Sequence, residues 1–249
     1  MWLVAALACA PRWTPDTSPD TSPDTDVVVV ETDSDVPSGV DPSNGSGGTI
    51  APGTVGDSPL GAHIRLPAGY DPAVAAPVVW LFNEPRTDWD GIADADGIVL
   101  IDLAEYNDVD AIIAKLNETA DLVEGDYNVD RARYYWAGWS AGGNLAIMLG
   151  AANQDFIAGA LVFPGTGGGI AQPDLRDRVG HKLRMFYACG TLDPNYDWRV
   201  VENEANTWQG YGYETQFQAV ESAPHRIDEA TYGIRAQGWT WMRDFNLQN

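Results

Sequence analysis

The chain is poor in the residues that most enzyme chemistries draw on. In 249 residues it holds two cysteines, Cys9 and Cys189. That excludes an intradomain disulfide framework and any cysteine-built metal cluster. Histidine occurs three times, at His63, His181 and His225, and beyond residue 48 serine occurs three times, at Ser58, Ser140 and Ser222. No zinc-ligand spacing, phosphate loop or dinucleotide fingerprint is present, so neither a metal nor an organic cofactor is expected. Basic residues are scarce, with 14 Lys and Arg against 36 Asp and Glu and a net charge of −22. That balance argues against nucleic acid and anionic membrane surfaces as partners, and it favours solubility. Apolar runs are short, and the one at residues 2–8 is far too brief to span a bilayer.

Apolar and polar residues divide the chain into three parts. Residues 1–9 are apolar and end in Ala6-Leu7-Ala8-Cys9, which resembles a bacterial lipoprotein cleavage box. This predicts export, either as a lipoprotein anchored at Cys9 or as a secreted or periplasmic protein. Residues 10–48 repeat Ser/Thr-Pro-Asp-Thr and then turn Ser/Gly-rich. Such a segment buries too little apolar surface to offset its chain entropy and reads as a disordered acidic tether. The first 48 residues carry eight acidic groups and one basic, which leaves −15 on residues 49–249.

Residues 49–249 alternate β-prone and helical segments. Strands are predicted near 62–66, 77–82, 98–103, 133–138, 158–163, 183–188 and 214–220. The stripe Val109, Ile112, Ile113, Leu116, Ala120 and Val123 predicts one helix, residues 141–153 a second and residues 227–245 a terminal one. The pattern implies an α/β fold with a mostly parallel sheet covered on both faces. Between residues 83 and 98 there is room for about one turn of helix. Residues 164–180 are too few for a lid domain, so an open site is expected; the glycine run at 165–169 reads as a loop near it.

Gly138-Trp139-Ser140-Ala141-Gly142 follows a β-prone segment and opens a helix. That is the setting in which G-x-S-x-G forms a nucleophile elbow, with Ser140 held proud of the sheet and the Ala141 N–H aimed where an oxyanion forms. Two more acid–base residues follow at strand ends. Asp193 lies after the 183–188 strand, with Asp197 as a substitute acid, and His225 lies after the 214–220 strand. The order Ser, Asp, His is that of hydrolases built on this elbow. Cys189 lacks an elbow of its own and reads as packing. Trp139, beside Ser140, is the candidate substrate-binding aromatic, while most of the ten tryptophans read as core.

The stretches Gly61-Ala62-His63-Ile64-Arg65-Leu66-Pro67-Ala68-Gly69-Tyr70-Asp71-Pro72 and Asn128-Val129-Asp130-Arg131-Ala132-Arg133-Tyr134-Tyr135-Trp136-Ala137-Gly138-Trp139-Ser140 carry a wider resemblance. They are similar to the opening strand and the nucleophile approach of poly(3-hydroxybutyrate) depolymerase-like and feruloyl or acetylxylan esterase-like α/β-hydrolases. The resemblance spans about residues 60–245. It implies carboxylic-ester hydrolysis on bulky or polymer-derived esters by Ser140, Asp193 and His225. It also implies a His-Gly pair after the first central strand, where this chain has Asn83-Glu84-Pro85. Proline has no N–H to donate, and Glu84 brings a negative charge toward the oxyanion. Either another N–H or the Asn83 side-chain amide replaces the lost donor, or catalysis is slow. A serine peptidase on the same fold and a non-catalytic surface-binding protein therefore remain open beside the esterase.

Overall fold

A computed structural model of the chain describes residues 41–59, 61–103, 109–167 and 180–248. The lipobox-like segment with Cys9, the tether up to residue 40 and residues 168–169 of the glycine run lie outside the described residues.

Eight strands form one sheet: β1 (Val55–Asp57), β2 (His63–Arg65), β3 (Ala76–Phe82), β4 (Val99–Asp102), β5 (Val129–Gly138), β6 (Gly159–Val162), β7 (Arg184–Gly190) and β8 (Thr215–Val220). Their spatial order is β1-β2-β4-β3-β5-β6-β7-β8. β2 runs antiparallel to both neighbours, and all pairs from β4 to β8 are parallel. β3 and β6 are buried at every position, which is why they read as unbroken apolar runs. The edge strand β8 instead alternates between half-buried and exposed positions over most of its length.

Helices α1 (Asp90–Asp96), α2 (Val109–Asp126), α3 (Ala141–Ala152), α4 (Trp198–Gly210), α5 (Glu229–Tyr232) and α6 (Ile234–Met242) complete the described elements. The period-2 alternation of β3 feeds two cores. Val78, Trp80 and Phe82 pack with Ile112, Leu116, Ala120 and Val123 of α2 and with Ala146 and Leu149 of α3. Val79 and Leu81 pack on the other face with Ala93 of α1 and Ile234, Trp239 and Met242 of α6. Of the eight tryptophans among the described residues, five (Trp80, Trp89, Trp136, Trp208 and Trp239) are buried, so most of these eight are scaffold.

Three expectations change. The terminal helix is two helices, because Gly233 sits at φ 61° and ends α5 with a left-handed residue before α6 begins. The first helix is not reduced to one turn: a 3₁₀ turn (Arg86–Asp88) leads into the seven residues of α1. Residues 43–48, read as the end of the tether, lie bonded along the body. Ser43 Oγ donates to Tyr127 O at 2.7 Å and accepts from Val129 N at 2.9 Å, and Gly48 N donates to Asp126 O at 2.9 Å. They meet the start of β5, opposite the end that carries Ser140.

Candidate active site

Open parallel sheets gather their chemistry beyond the carboxyl ends of the strands. Here β5 delivers Ser140, β7 delivers Asp193 and β8 delivers His225 to that edge. The turn out of β5 forces Ser140 to φ 57° and ψ −121°, a backbone state that a serine holds only when its surroundings over-determine it. They do. Ser140 N donates to Pro164 O at 2.8 Å, Trp139 N to Phe82 O at 3.2 Å and Gly142 N to Trp139 O at 2.9 Å. A Cβ on Gly138 would stand 2.6 Å from Gly143 N, and one on Gly142 would overlap the Phe82 carbonyl. The small residues of the motif are therefore a packing requirement.

Ser140 Oγ lies 3.0 Å from His225 Nε2, and His225 Nδ1 lies 2.9 Å from Asp193 Oδ2. The carboxylate of Asp193 is fully buried and the imidazole is mostly covered. The other carboxylate oxygen accepts from Asn195 N at 2.8 Å and Tyr196 N at 3.0 Å, so the acid builds its own turn and is held by it. With Nδ1–H donated to the carboxylate, Nε2 is free to accept the serine proton. The two loops are also tied together: Leu192 N donates to Ala223 O at 3.0 Å and Ser222 N to Thr191 Oγ1 at 2.8 Å.

Two aromatic rings flank the imidazole. Tyr196 stacks on it, with centroids 5.7 Å apart and planes 3° apart, while its hydroxyl donates to Asn144 Oδ1 at 3.2 Å. Trp139 meets the imidazole at 5.2 Å, and its indole N–H donates to His225 O at 3.1 Å. Trp139, singled out as a substrate-binding residue, is thus engaged in holding the histidine loop. Tyr196 was not legible as a site residue. Its only signal is its place three residues after Asp193, within reach of an Asx turn.

Asp197, the substitute acid, is spent elsewhere. It caps α4, accepting from Arg199 N at 3.0 Å. Cys189 is buried, and burial first, then the nearby Asp193 and Asp197, push its thiol up to about 12. It stays a neutral thiol and is no nucleophile. His63 pairs with Asp57 on the β1–β2 edge, at 2.6 Å and far from Ser140 in the sheet order.

Ala141 begins α3 and is exposed, and the first N–H groups of a helix have no partner inside it. Across from it, Asn83 holds φ 51°, and its Nδ2 donates to Trp139 O at 3.2 Å. Glu84 does not point its charge at the oxyanion. Its side chain is fully buried, accepts from Trp89 Nε1 at 3.1 Å and pairs with the equally buried Arg235. Burial raises its carboxyl and Arg235 lowers it again, with burial the larger effect. The sequence gives little notice of this partner, since Arg235 is 151 residues away. Its one trace is an arginine among the core-facing positions Ile234, Gly238, Trp239 and Met242 of α6.

No protein-family profile matches the sequence, and no curated protein sequence matches it. Solved structures do match in shape. Thermogutta terrifontis esterase 2, in a form phosphoramylated by tabun, aligns at TM-score 0.52 and 16% identity over 77% of this chain and 96% of that one. The CE1 ferulic acid esterase of the anaerobic fungus Anaeromyces mucronatus aligns at 0.54 and 18%, over 73% and 86%. Porphyromonas gingivalis dipeptidyl peptidase 4 aligns at 0.55 and 13%, over 77% of this chain but 35% of that longer one. The chain has the fold shared by these α/β-hydrolases.

Proposed function

We propose that the protein is a serine hydrolase of carboxylic esters. The observation that carries this reading is the continuous chain of contacts from Ser140 Oγ through His225 to Asp193 on a strained elbow. Ser140 Oγ attacks the ester carbonyl while His225 Nε2 takes its proton. The tetrahedral intermediate then expels the alcohol, which receives that proton from His225. Water, deprotonated by the same nitrogen, releases the acyl group and restores Ser140. Asp193 keeps Nδ1 protonated and stabilises the imidazolium. The Ala141 N–H holds the oxyanion, and the second hydrogen of the Asn83 amide, beyond the one given to Trp139, is the other donor.

A serine peptidase on the same fold is the other enzymatic reading, since the similar structures include two esterases and a dipeptidyl peptidase. The proposed substrates are bulky or polymer-derived esters of hydroxyalkanoate, feruloyl or acetyl-sugar type. Export, with Cys9 as a lipid anchor, belongs to the same proposal.

One feature favours a second reading, a binding protein without turnover. Pro85 removes a backbone donor at the oxyanion loop, and losing one such donor costs about 10²–10³ in rate. Labelling the full chain with a fluorophosphonate decides between the two, with Ser140→Ala and His225→Ala as controls. Wild type alone should label, and feruloyl, acetyl and hydroxyalkanoate esters should then be screened. A folded wild type that takes no label would sink the esterase reading and leave the binding one.

A further inference from the structure

The loop that faces the oxyanion carries an acid where the fold can least tolerate one, and a single guanidinium accounts for its harmlessness. Arg235 is fully buried. Its Nε donates to Glu84 Oε1, its Nη1 donates to the carbonyl of Ile227, and its Nη2 lies 3.6 Å from Asp88 Oδ2. The guanidinium carbon also sits 5.1 Å from the centre of the Phe163 ring. Three of these contacts belong to different parts of the site. Glu84 follows Asn83 on the oxyanion loop. Ile227 is two residues past His225. Phe163 precedes Pro164, whose carbonyl receives the Ser140 N–H.

We propose that Arg235 is a positioning residue for the oxyanion loop, holding the Glu84 carboxylate inside the protein while fixing that loop against the one that carries His225. This rests on the hydrolase reading above, and it adds a requirement for a residue that touches neither substrate nor triad. An arginine suits the task because its planar fork reaches two acceptors at once in fixed directions, which a lysine ammonium does not. Without Arg235 the buried carboxylate has only Trp89 Nε1 as a partner on that oxygen, and its Oε2 already has no hydrogen-bond partner among the described residues. A buried carboxylate without its cation either takes up a proton or turns toward water; the near exit here is the Asn83–Pro85 loop beside Ser140, and it is this outward turn that the proposal requires. A negative charge there opposes the oxyanion in the transition state and leaves ground-state binding almost untouched, so the loss falls on kcat and not on KM.

The test is Arg235→Met alone and combined with Glu84→Gln, each read by steady-state kinetics on an ester found in the screen and by NMR of the Trp89 indole N–H. Arg235→Met should lower kcat about 10²-fold with KM nearly constant, and it should move the Trp89 resonance as its carboxylate acceptor leaves. Adding Glu84→Gln removes the charge and should recover at least about tenfold in kcat. A folded Arg235→Met variant with wild-type kcat, or a double variant no faster than the single one, overturns the proposal. Should Arg235→Met not fold, Arg235→Lys keeps the charge without the fork; kcat at the wild-type level in that variant overturns the proposal equally. If wild type proves inert toward every ester and toward fluorophosphonate, the hydrolase reading has failed separately. An unmoved Trp89 resonance in Arg235→Met, or in Arg235→Lys if the former does not fold, then overturns the Arg235 assignment on its own.

Discussion

Replacing Gly142 with alanine adds one methyl group where an added Cβ meets its nearest neighbour more closely than at any other described glycine, and its consequences can be worked from the backbone. The added Cβ would overlap the carbonyl oxygen of Phe82 and stand 2.9 Å from the Cβ of Asn83. Carbon–carbon contacts settle near about 3.5–4.0 Å, so even the milder of the two requires a retreat of at least about 0.6 Å. No rotamer relieves it, because the opposing atoms are the Phe82 carbonyl at the end of β3 and the Cβ of the next residue, both fixed by the backbone. Either α3 moves away from β3 or the Phe82–Asn83 step moves away from α3. The first displaces Ser140 from His225, and the second displaces Asn83 from Trp139. Overpacking of this kind costs about 1–3 kcal/mol, which for a domain of this size lowers Tm by about 2–12 °C. A shift approaching an ångström between nucleophile and oxyanion donors costs about 10² in rate. The assay is kcat/KM beside a thermal melt of the same preparation. Activity within about threefold of wild type with an unchanged Tm would refute the packing account of the elbow.

Two further predictions separate residues that the sequence left as alternatives. Asp193→Asn should cost about 10³–10⁴ in kcat because the histidine loses its oriented partner, whereas Asp197→Ala should leave kcat within about threefold and cost about 0.5–2 kcal/mol in urea unfolding as a lost helix cap; the opposite pattern would move the acid to Asp197. The Cys189 thiol, pushed up to about 12, ionises only well above neutrality, so roughly one molecule in 10⁴ carries a thiolate at pH 8. Native protein should resist iodoacetamide at pH 8 while unfolded protein reacts, and rapid native alkylation would show that Cys189 is neither buried nor neutral.

The parts of the molecule that could be read from its sequence are those encoded by neighbours in the chain. Strands β3, β6 and β7 are apolar runs because both sheet faces are covered, and the elbow is a contiguous run of five residues, although the need for glycine at Gly142 comes from the distant Phe82 carbonyl. The order of Ser140, Asp193 and His225 follows from their places after the ends of β5, β7 and β8. What could not be read depends on partners distant in sequence or on competing local meanings. β1 is three residues long and is itself the edge of the sheet, paired only with β2, so it leaves no periodicity to detect. α4 buries Val201, Ala205 and Trp208 on one face, but its cap, Asp197, is equally legible as a catalytic acid four residues after Asp193. Residues 43–48 have a tether's composition and are nevertheless held, because the open backbone groups of Asp126, Tyr127 and Val129 accept and supply their hydrogen bonds.

Glu84 shows the same division at the level of chemistry. Read locally, an acid followed by proline after a central strand counts against an oxyanion hole, on charge and on the missing donor alike. The charge objection dissolves once Arg235, Trp89 and Ile227 are placed around it, since the carboxylate then faces the core and braces the loop. The donor objection stands, because no fold restores an N–H to Pro85, and it falls to Asn83 to answer it. Asn83 holds a left-handed backbone and an amide bonded to Trp139 O, a posture that serves the elbow directly. On the proposed hydrolase reading, Ser140, His225 and Asp193 already lie in hydrogen-bond contact, so turnover rests on the Asn83 amide, whose one hydrogen goes to Trp139 O and whose second must serve the reacting carbonyl.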